Sequence, residues 1–135
     1  ALGLSQMRRI EEILIDRRTT AGRYDEVLTH LPRVRVPRTT SDATWSYQSY
    51  VIELDDGVDR DVVIARMAEQ GIETTIGTYA CHQHPAFSEW GYRPEDLPNS
   101  GRFADCTLTL PVIPRMARPQ VERVVETLAL ILGSL

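Results

Sequence analysis

Four side chains able to bind a ligand or carry a proton fall within six residues: Tyr79, Cys81, His82 and His84. They follow a β-rich run, Ile72 to Tyr79, that holds three threonines, two isoleucines and a tyrosine behind a helix stop at Gly71. A strand that delivers polar side chains to a loop is a common way to build a site. Cysteine and histidine are zinc ligands, and residues two apart on an extended chain share a face. No second ligand pair stands elsewhere, so the pattern favours hydrogen bonding to a sugar or phosphate over a metal. His82 is the candidate for that role, whereas His84 reads as an exposed loop residue. Tyr79 can offer its hydroxyl to a ligand while its ring packs, although a plain core or edge tyrosine has the same signature. Gln48 lies in a strand-like run where alternation puts it on one face with Ser46 and Tyr50, either binding substrate or facing solvent. Trp90-Gly91-Tyr92 offers a lid or stacking surface in the long loop. Cys81 and Cys106 read as small packing residues, and the glutamates form no paired-carboxylate pattern.

A second feature limits the chemistry. All fifteen basic residues are arginine, and the chain has no lysine. Reactions that run through a lysine Schiff base are therefore closed to this chain alone. Guanidinium matches phosphate geometry, but most of these arginines read as solvated surface charges. The net charge of -4 argues against a nucleic-acid partner. A length of 135 residues fits one domain with a core of its own. Two cysteines make no disulfide scaffold, which suits a reducing cytoplasm. No apolar run is long enough to cross a bilayer, and no signal peptide opens the chain.

The elements that must position these residues follow from periodicity and punctuation. Residues 2–31 read as one amphipathic helix, with Leu4, Met7, Ile10, Leu14, Ala21, Leu28 and Leu31 at helical spacings and Pro32 as its stop. It begins without a capping residue or an initiator methionine, as a processed or truncated fragment would. Val34 and Val36 suggest a short strand, and residues 38–44 a polar loop. Trp45 to Leu54 is the strongest strand. Asp59 caps a helix over 60–70, with Val63, Ile64, Met67 and Ala68 as its inner stripe and Gly71 beyond its end. A strand over 72–79, a loop-rich stretch over 80–105 with short helical turns near 85–90 and 99–105, a strand from Cys106 to Leu110 and a last helix from about Ala117 to Leu132 complete the order. This order predicts an α+β fold: a small, mainly antiparallel sheet with helices on one face, preceded by the long helix.

Five segments in sequence resemble the C-terminal small domain of the DegT/DnrJ/EryC1/StrS family of pyridoxal-phosphate-dependent nucleotide-sugar aminotransferases, which have the aspartate aminotransferase fold type I. They are the run IDRRTTAGRYDEVLTHLP with Arg17, Arg18, Arg23, Tyr24 and Pro32; the strand Tyr47-Gln48-Ser49-Tyr50-Val51-Ile52; the helix end AEQGI; the loop IGTYACHQHPAF; and the closing LPNSGRFADCTLTLPVIP. The sequence departs from the family where a glutamate often stands and this chain has Gly101. It departs again at Gln48, where many members have histidine.

The resemblance implies residues 1–135 as the small domain, with the cofactor-binding large domain outside this chain. It implies transfer of an amino group from an amino acid, glutamate being the expected donor, to a nucleotide-linked keto sugar. That reaction belongs to amino-sugar, cell-surface polysaccharide or antibiotic biosynthesis. Pyridoxal 5'-phosphate would serve the parent enzyme but would not be bound by this chain alone. The partners implied are the nucleotide sugar, the amino-acid donor, the large domain of the same polypeptide and a second copy in a homodimer, with neither nucleic acid nor membrane. Tyr79, His82 and Gln48 would then touch substrate, and no residue here would be catalytic. A dehydratase of the same family and a standalone ligand-binding α+β domain remain open alternatives.

Overall fold

The computed structural model describes residues 2–38, 40 and 42–135. Ala1, Thr39 and Ser41 lie outside the described residues, and with them part of the polar loop expected over 38–44. Among the described residues four short strands form one antiparallel sheet: β1 (Val34–Arg35), β2 (Tyr50–Leu54), β3 (Thr75–Ile76) and β4 (Thr107–Leu110). Their order is β1–β2–β4–β3, with Tyr50 opposite Leu110 and Ile52 opposite Leu108. The helices are α1 (Leu2–Met7), α2 (Ile10–Leu28), α3 (Arg60–Glu69), α4 (Pro98–Cys106) and α5 (Arg118–Gly133). Short 3-10 turns span Cys81–Gln83, Pro85–Trp90 and Pro94–Asp96. The expected α+β class is what the chain adopts.

Side chains alternate along β2, so Tyr50, Ile52 and Leu54 are all buried on one face. Leu108 and Leu110 extend that face across β4. Ala21, Tyr24 and Leu28 of α2, Val63 and Met67 of α3, and Val121, Val125, Leu128 and Leu132 of α5 cover it. Each large apolar side chain fully buried there contributes about 1.5–3 kcal/mol. Two arginines close the seams by donating to backbone carbonyls, Arg23 to Met116 (2.5 Å) and Arg33 to Leu132 (2.8 Å). Among the described residues no helix is long and apolar enough to cross a membrane.

Helix α3 is specified at both ends. The Asp59 carboxylate accepts from the Asp61 and Val62 amides at 3.0 and 3.1 Å. At the other end Gly71 turns left-handed, with φ +70°, and the Ile72 amide donates back to Met67 while the Gly71 amide donates to Ala68. This pair of bonds requires a residue that tolerates positive φ, which glycine does at no steric cost. Within its stripe Val63 and Met67 are buried and Ile64 half-buried, but Ala68 faces solvent.

Several boundaries differ from the sequence expectation, each for a local reason. The single helix over 2–31 is two: the Arg9 amide bonds back to Gln6, which tightens the last turn of α1, and the α2 ladder restarts from the Arg9 carbonyl. The strand expected from Trp45 begins only at Tyr50, because Tyr47 sits at φ +47° and breaks the extended run. The strand expected over 72–79 shrinks to Thr75–Ile76, since Ile72 is committed to capping α3. Cys106 ends α4 instead of opening β4. The turn expected near 99–105 is the full helix α4.

The apolar stripe of the first two helices is only partly used. Ala21, Tyr24 and Leu28 are buried, while Leu4, Met7 and Ile15 are each more than 60% exposed (64%, 63% and 62%). Such a patch drives association until something covers it. We predict concentration-dependent self-association of this chain in sedimentation velocity, relieved by replacing Leu4, Met7 and Ile15 with serine. A stable monomer at high concentration would contradict the expectation.

Candidate functional site

The reverse face of the sheet is the one α2, α3 and α5 leave open. Val51 and Glu53 of β2 point there, opposite Thr109 and Thr107 of β4. Val51, Glu53 and Thr107 form the floor of an open groove of ≈ 1060 Å³. Residues 34–38 and 44–49 wall one side, and Thr78 and Phe103 approach from the other. Gly77 lets the floor close: its amide donates to the Thr107 carbonyl at 2.9 Å, and a Cβ there would come within 2.6 Å of both Thr107 and Val51 side chains.

Glu53 is the electrostatic centre of this face. Arg35 and Arg102 both donate to its Oε1, each at 2.5 Å, and Arg35 also reaches Asp55 at 3.2 Å. The Arg102 hydrogen bond, reinforced by the charges of Arg102 and Arg35, holds the Glu53 carboxyl below the usual carboxylate range. Arg102 lies over the Phe103 ring, 4.6 Å from its centre, and its second contact is the Cys106 sulfur at 3.7 Å. Burial, with Glu53 adding to it, pushes the Cys106 thiol up, which makes it a packing group and not a nucleophile.

An aromatic series leads from the core to the groove wall. Tyr24 and Tyr50 stack with ring centres 4.9 Å apart, Tyr50 and Tyr47 at 6.2 Å, and Tyr47 and Trp45 tilt together at 5.9 Å. Arg18 donates to the Trp45 carbonyl at 3.3 Å and ties this wall to α2.

The three residues singled out from the sequence have different settings. Gln48 is exposed and lines the groove, but it precedes β2 and does not share a face with Tyr50, which is buried; the left-handed Tyr47 removes the alternation that would have linked them. Tyr79 follows the groove residue Thr78 and is 69% exposed. His82 is buried beneath the loop, its Nε2 3.4 Å from the Pro94 carbonyl and its Nδ1 without a partner among the described residues. Among the described residues no hydrogen bond joins the three.

His84 is exposed, and its Nδ1 accepts from the Ala86 amide at 3.2 Å, capping the 3-10 turn that follows. Trp90 and Tyr92 are exposed on the same loop. Among the described residues no three of histidine, cysteine, aspartate and glutamate gather as a metal site would require. Gly101 has its own logic: a Cβ there would sit 2.7 Å from the Gln83 amide nitrogen, so this glycine makes room for Gln83 against α4. Sequence reasoning missed Glu53, Arg102 and Arg35, because the charges that meet on Glu53 are 18 and 49 residues away in the chain.

Comparison with known proteins gives one consistent answer. The model of the DegT/DnrJ/EryC1/StrS aminotransferase family matches residues 1–129. The chain is 31% identical over 131 residues to the spore coat polysaccharide biosynthesis protein SpsC of Bacillus subtilis (strain 168), a match that covers 93% of this chain and 34% of that protein. The aminotransferase TlmJ from Streptoalloteichus hindustanus superposes with a TM-score of 0.85 at 30% identity, covering 98% of this chain and 35% of that one. The putative sugar aminotransferase Spr1654 from Streptococcus pneumoniae shares the fold, with a TM-score of 0.89 at 22% identity over 98% of this chain and 34% of its own. The chain thus spans about a third of the length of the relatives it matches.

The Glu53 cluster generates a test. A carboxyl held below its unfolded value adds stability above that value and loses it as pH falls through the folded one. Both guanidiniums are more than a third exposed, 57% for Arg35 and 38% for Arg102. Solvent screening therefore limits the loss in Glu53→Gln to about 1 kcal/mol at neutral pH. Urea unfolding at pH 7 should show that loss, and the gap between wild type and variant should close as pH drops below the ordinary glutamate value of 4.5. Parallel stability profiles across this range would contradict the assignment.

Proposed function

This chain belongs to the DegT/DnrJ/EryC1/StrS aminotransferase family, and from that premise we propose that it is the small, C-terminal domain of a pyridoxal-phosphate-dependent enzyme. The reaction moves an amino group from an amino acid, glutamate being the expected donor, to a nucleotide-linked keto sugar. The large domain and a second copy of the polypeptide complete the active site. The observation that carries this reading is the combination of a family match along nearly the whole chain with a sheet that has one sealed and one open face.

The residues present do not fit the cofactor. A Schiff base needs a side-chain amine, and the chain has no lysine. No chemical step is therefore assigned to a residue of this domain. Its part is to position and shield. Gln48 offers an amide in the groove on the open side of the sheet, and Tyr79, next to the groove residue Thr78, offers an exposed hydroxyl. His82 lies beneath the loop, its Nε2 near the Pro94 carbonyl and its Nδ1 buried without a partner among the described residues, so a hydroxyl or phosphate would reach it only by displacing the loop.

Two measurements test this reading. Borohydride treatment of this chain with pyridoxal phosphate should leave no adduct on any side chain by peptide mass spectrometry, and a stable side-chain adduct would overturn it. In the complete polypeptide His82→Ala should raise the KM for the sugar about ten- to a hundred-fold, the value of a hydrogen bond to a charged group. The half-reaction with the amino-acid donor should be almost unchanged, since it does not use the sugar. Equal slowing of both half-reactions in stopped flow, or of neither, would contradict the role of His82.

A further inference from the structure

We propose that Asp25 is a positioning residue for the open-face groove: by gripping the Tyr50 hydroxyl from α2, it holds the wall segment Trp45–Gln48 in place through the tyrosine stack. This rests on the aminotransferase reading above. It adds a residue that sits on a helix of the sealed face and does not itself line the groove.

The wall has little main-chain support. Among the described residues no backbone–backbone hydrogen bond anchors residues 44–49, because the β2 ladder starts at Tyr50. Tyr47, within that segment, holds φ +47°, a conformation that a tyrosine disfavours when nothing constrains it. Side chains therefore place the segment. The Tyr47 ring stacks on Tyr50 with centres 6.2 Å apart, and Trp45 leans on Tyr47 at 5.9 Å. Tyr50 is fully buried, so its ring is the fixed end of the series.

Asp25 fixes that end. Its Oδ1 accepts from the Tyr50 hydroxyl at 2.5 Å. A carboxylate is an acceptor only, so it sets the direction of the hydroxyl that donates to it. Burial, and after it the charge of Asp25, push the Tyr47 hydroxyl up, which puts the same carboxylate within electrostatic reach of the next ring. The helix has a second hold on the wall: two turns before Asp25, Arg18 donates to the Trp45 carbonyl at 3.3 Å. One turn after it, the Thr29 hydroxyl donates to the Asp25 backbone carbonyl at 2.6 Å, and Thr29 lines the groove. Residues 18, 25 and 29 share a helix face, so α2 sets where the Gln48 amide stands.

Two readouts test this. In this chain with Trp90→Phe, Trp45 is the sole tryptophan. Asp25→Ala should raise acrylamide quenching of Trp45 about twofold, as a residue now 40% exposed becomes fully exposed. Tyr50→Phe keeps the ring, removes the hydroxyl and should do the same, while Asp25→Asn keeps an acceptor and should stay near wild type. Circular dichroism checks that each variant is folded. In the complete polypeptide, with uridine and thymidine diphosphate keto-sugars as acceptors, Asp25→Ala should raise the sugar KM about five- to tenfold and leave the donor half-reaction unchanged. Asp25→Asn should restore the KM. Unchanged Trp45 quenching in folded Asp25→Ala and Tyr50→Phe, an unchanged sugar KM, or equal slowing of both half-reactions would overturn the proposal. The quenching readout needs no sugar. A wild-type polypeptide that aminates neither acceptor would therefore count against the aminotransferase reading, while quenching would still decide whether Asp25 holds the wall.

Discussion

Tyr50 is the residue on which the arrangement depends. It must fill the centre of the core and also satisfy a hydroxyl there. It is fully buried, its ring stacks on Tyr24, and its hydroxyl donates to Asp25 at 2.5 Å. Tyr24 in turn donates to the Pro111 carbonyl at 2.9 Å. Burial pushes both hydroxyls well above the ordinary tyrosine range, and for Tyr50 the Asp25 carboxylate adds to it. Both therefore act as hydrogen-bond donors at neutral pH. These contacts bind α2 to β2 and to the segment after β4. Because the stack continues outward to Tyr47 and Trp45, the same residue that seals the core also sets one wall of the groove.

The two faces of the sheet thus have different physics. One is an apolar layer held by shape and by loss of water contact. The other keeps charge near solvent, where a single carboxylate is shared by two guanidiniums. Glu53 alone in a half-buried strand would be costly; with Arg35 and Arg102 it becomes a brace between β1, β2 and α4. In the proposed aminotransferase such a domain would offer a floor, an aromatic wall and local positive charge, with the chemistry carried by other residues.

Much of this was legible in the sequence where a local rule decides the outcome. Helix α3 was readable from Asp59 and Gly71 because a cap and a left-handed stop act within a few residues. The α+β class followed from element order. The length of β2 was not readable: Trp45 to Tyr47 has strong strand propensity, yet Tyr47 is left-handed with its ring stacked on Tyr50, and the extended run breaks there. The division of the first helix at Arg8 and Arg9 breaks no sequence rule, since arginine is a good helix former. At the site, the loop from Tyr79 to His84 was recognisable as polar and exposed in part, but burial of His82 depends on the return of Pro94 over it. The Glu53 cluster joins residues from three elements and had no local signature.

The central claim is that ligand meets this domain on the open face of its sheet. Amide hydrogen exchange of the chain, with and without a nucleoside diphosphate sugar, tests it most directly. The account predicts added protection at residues 34–38, 44–53 and 76–79, with α5 and the buried part of α2 unchanged. Protection centred on α2 and α5 with none on the open face would contradict it.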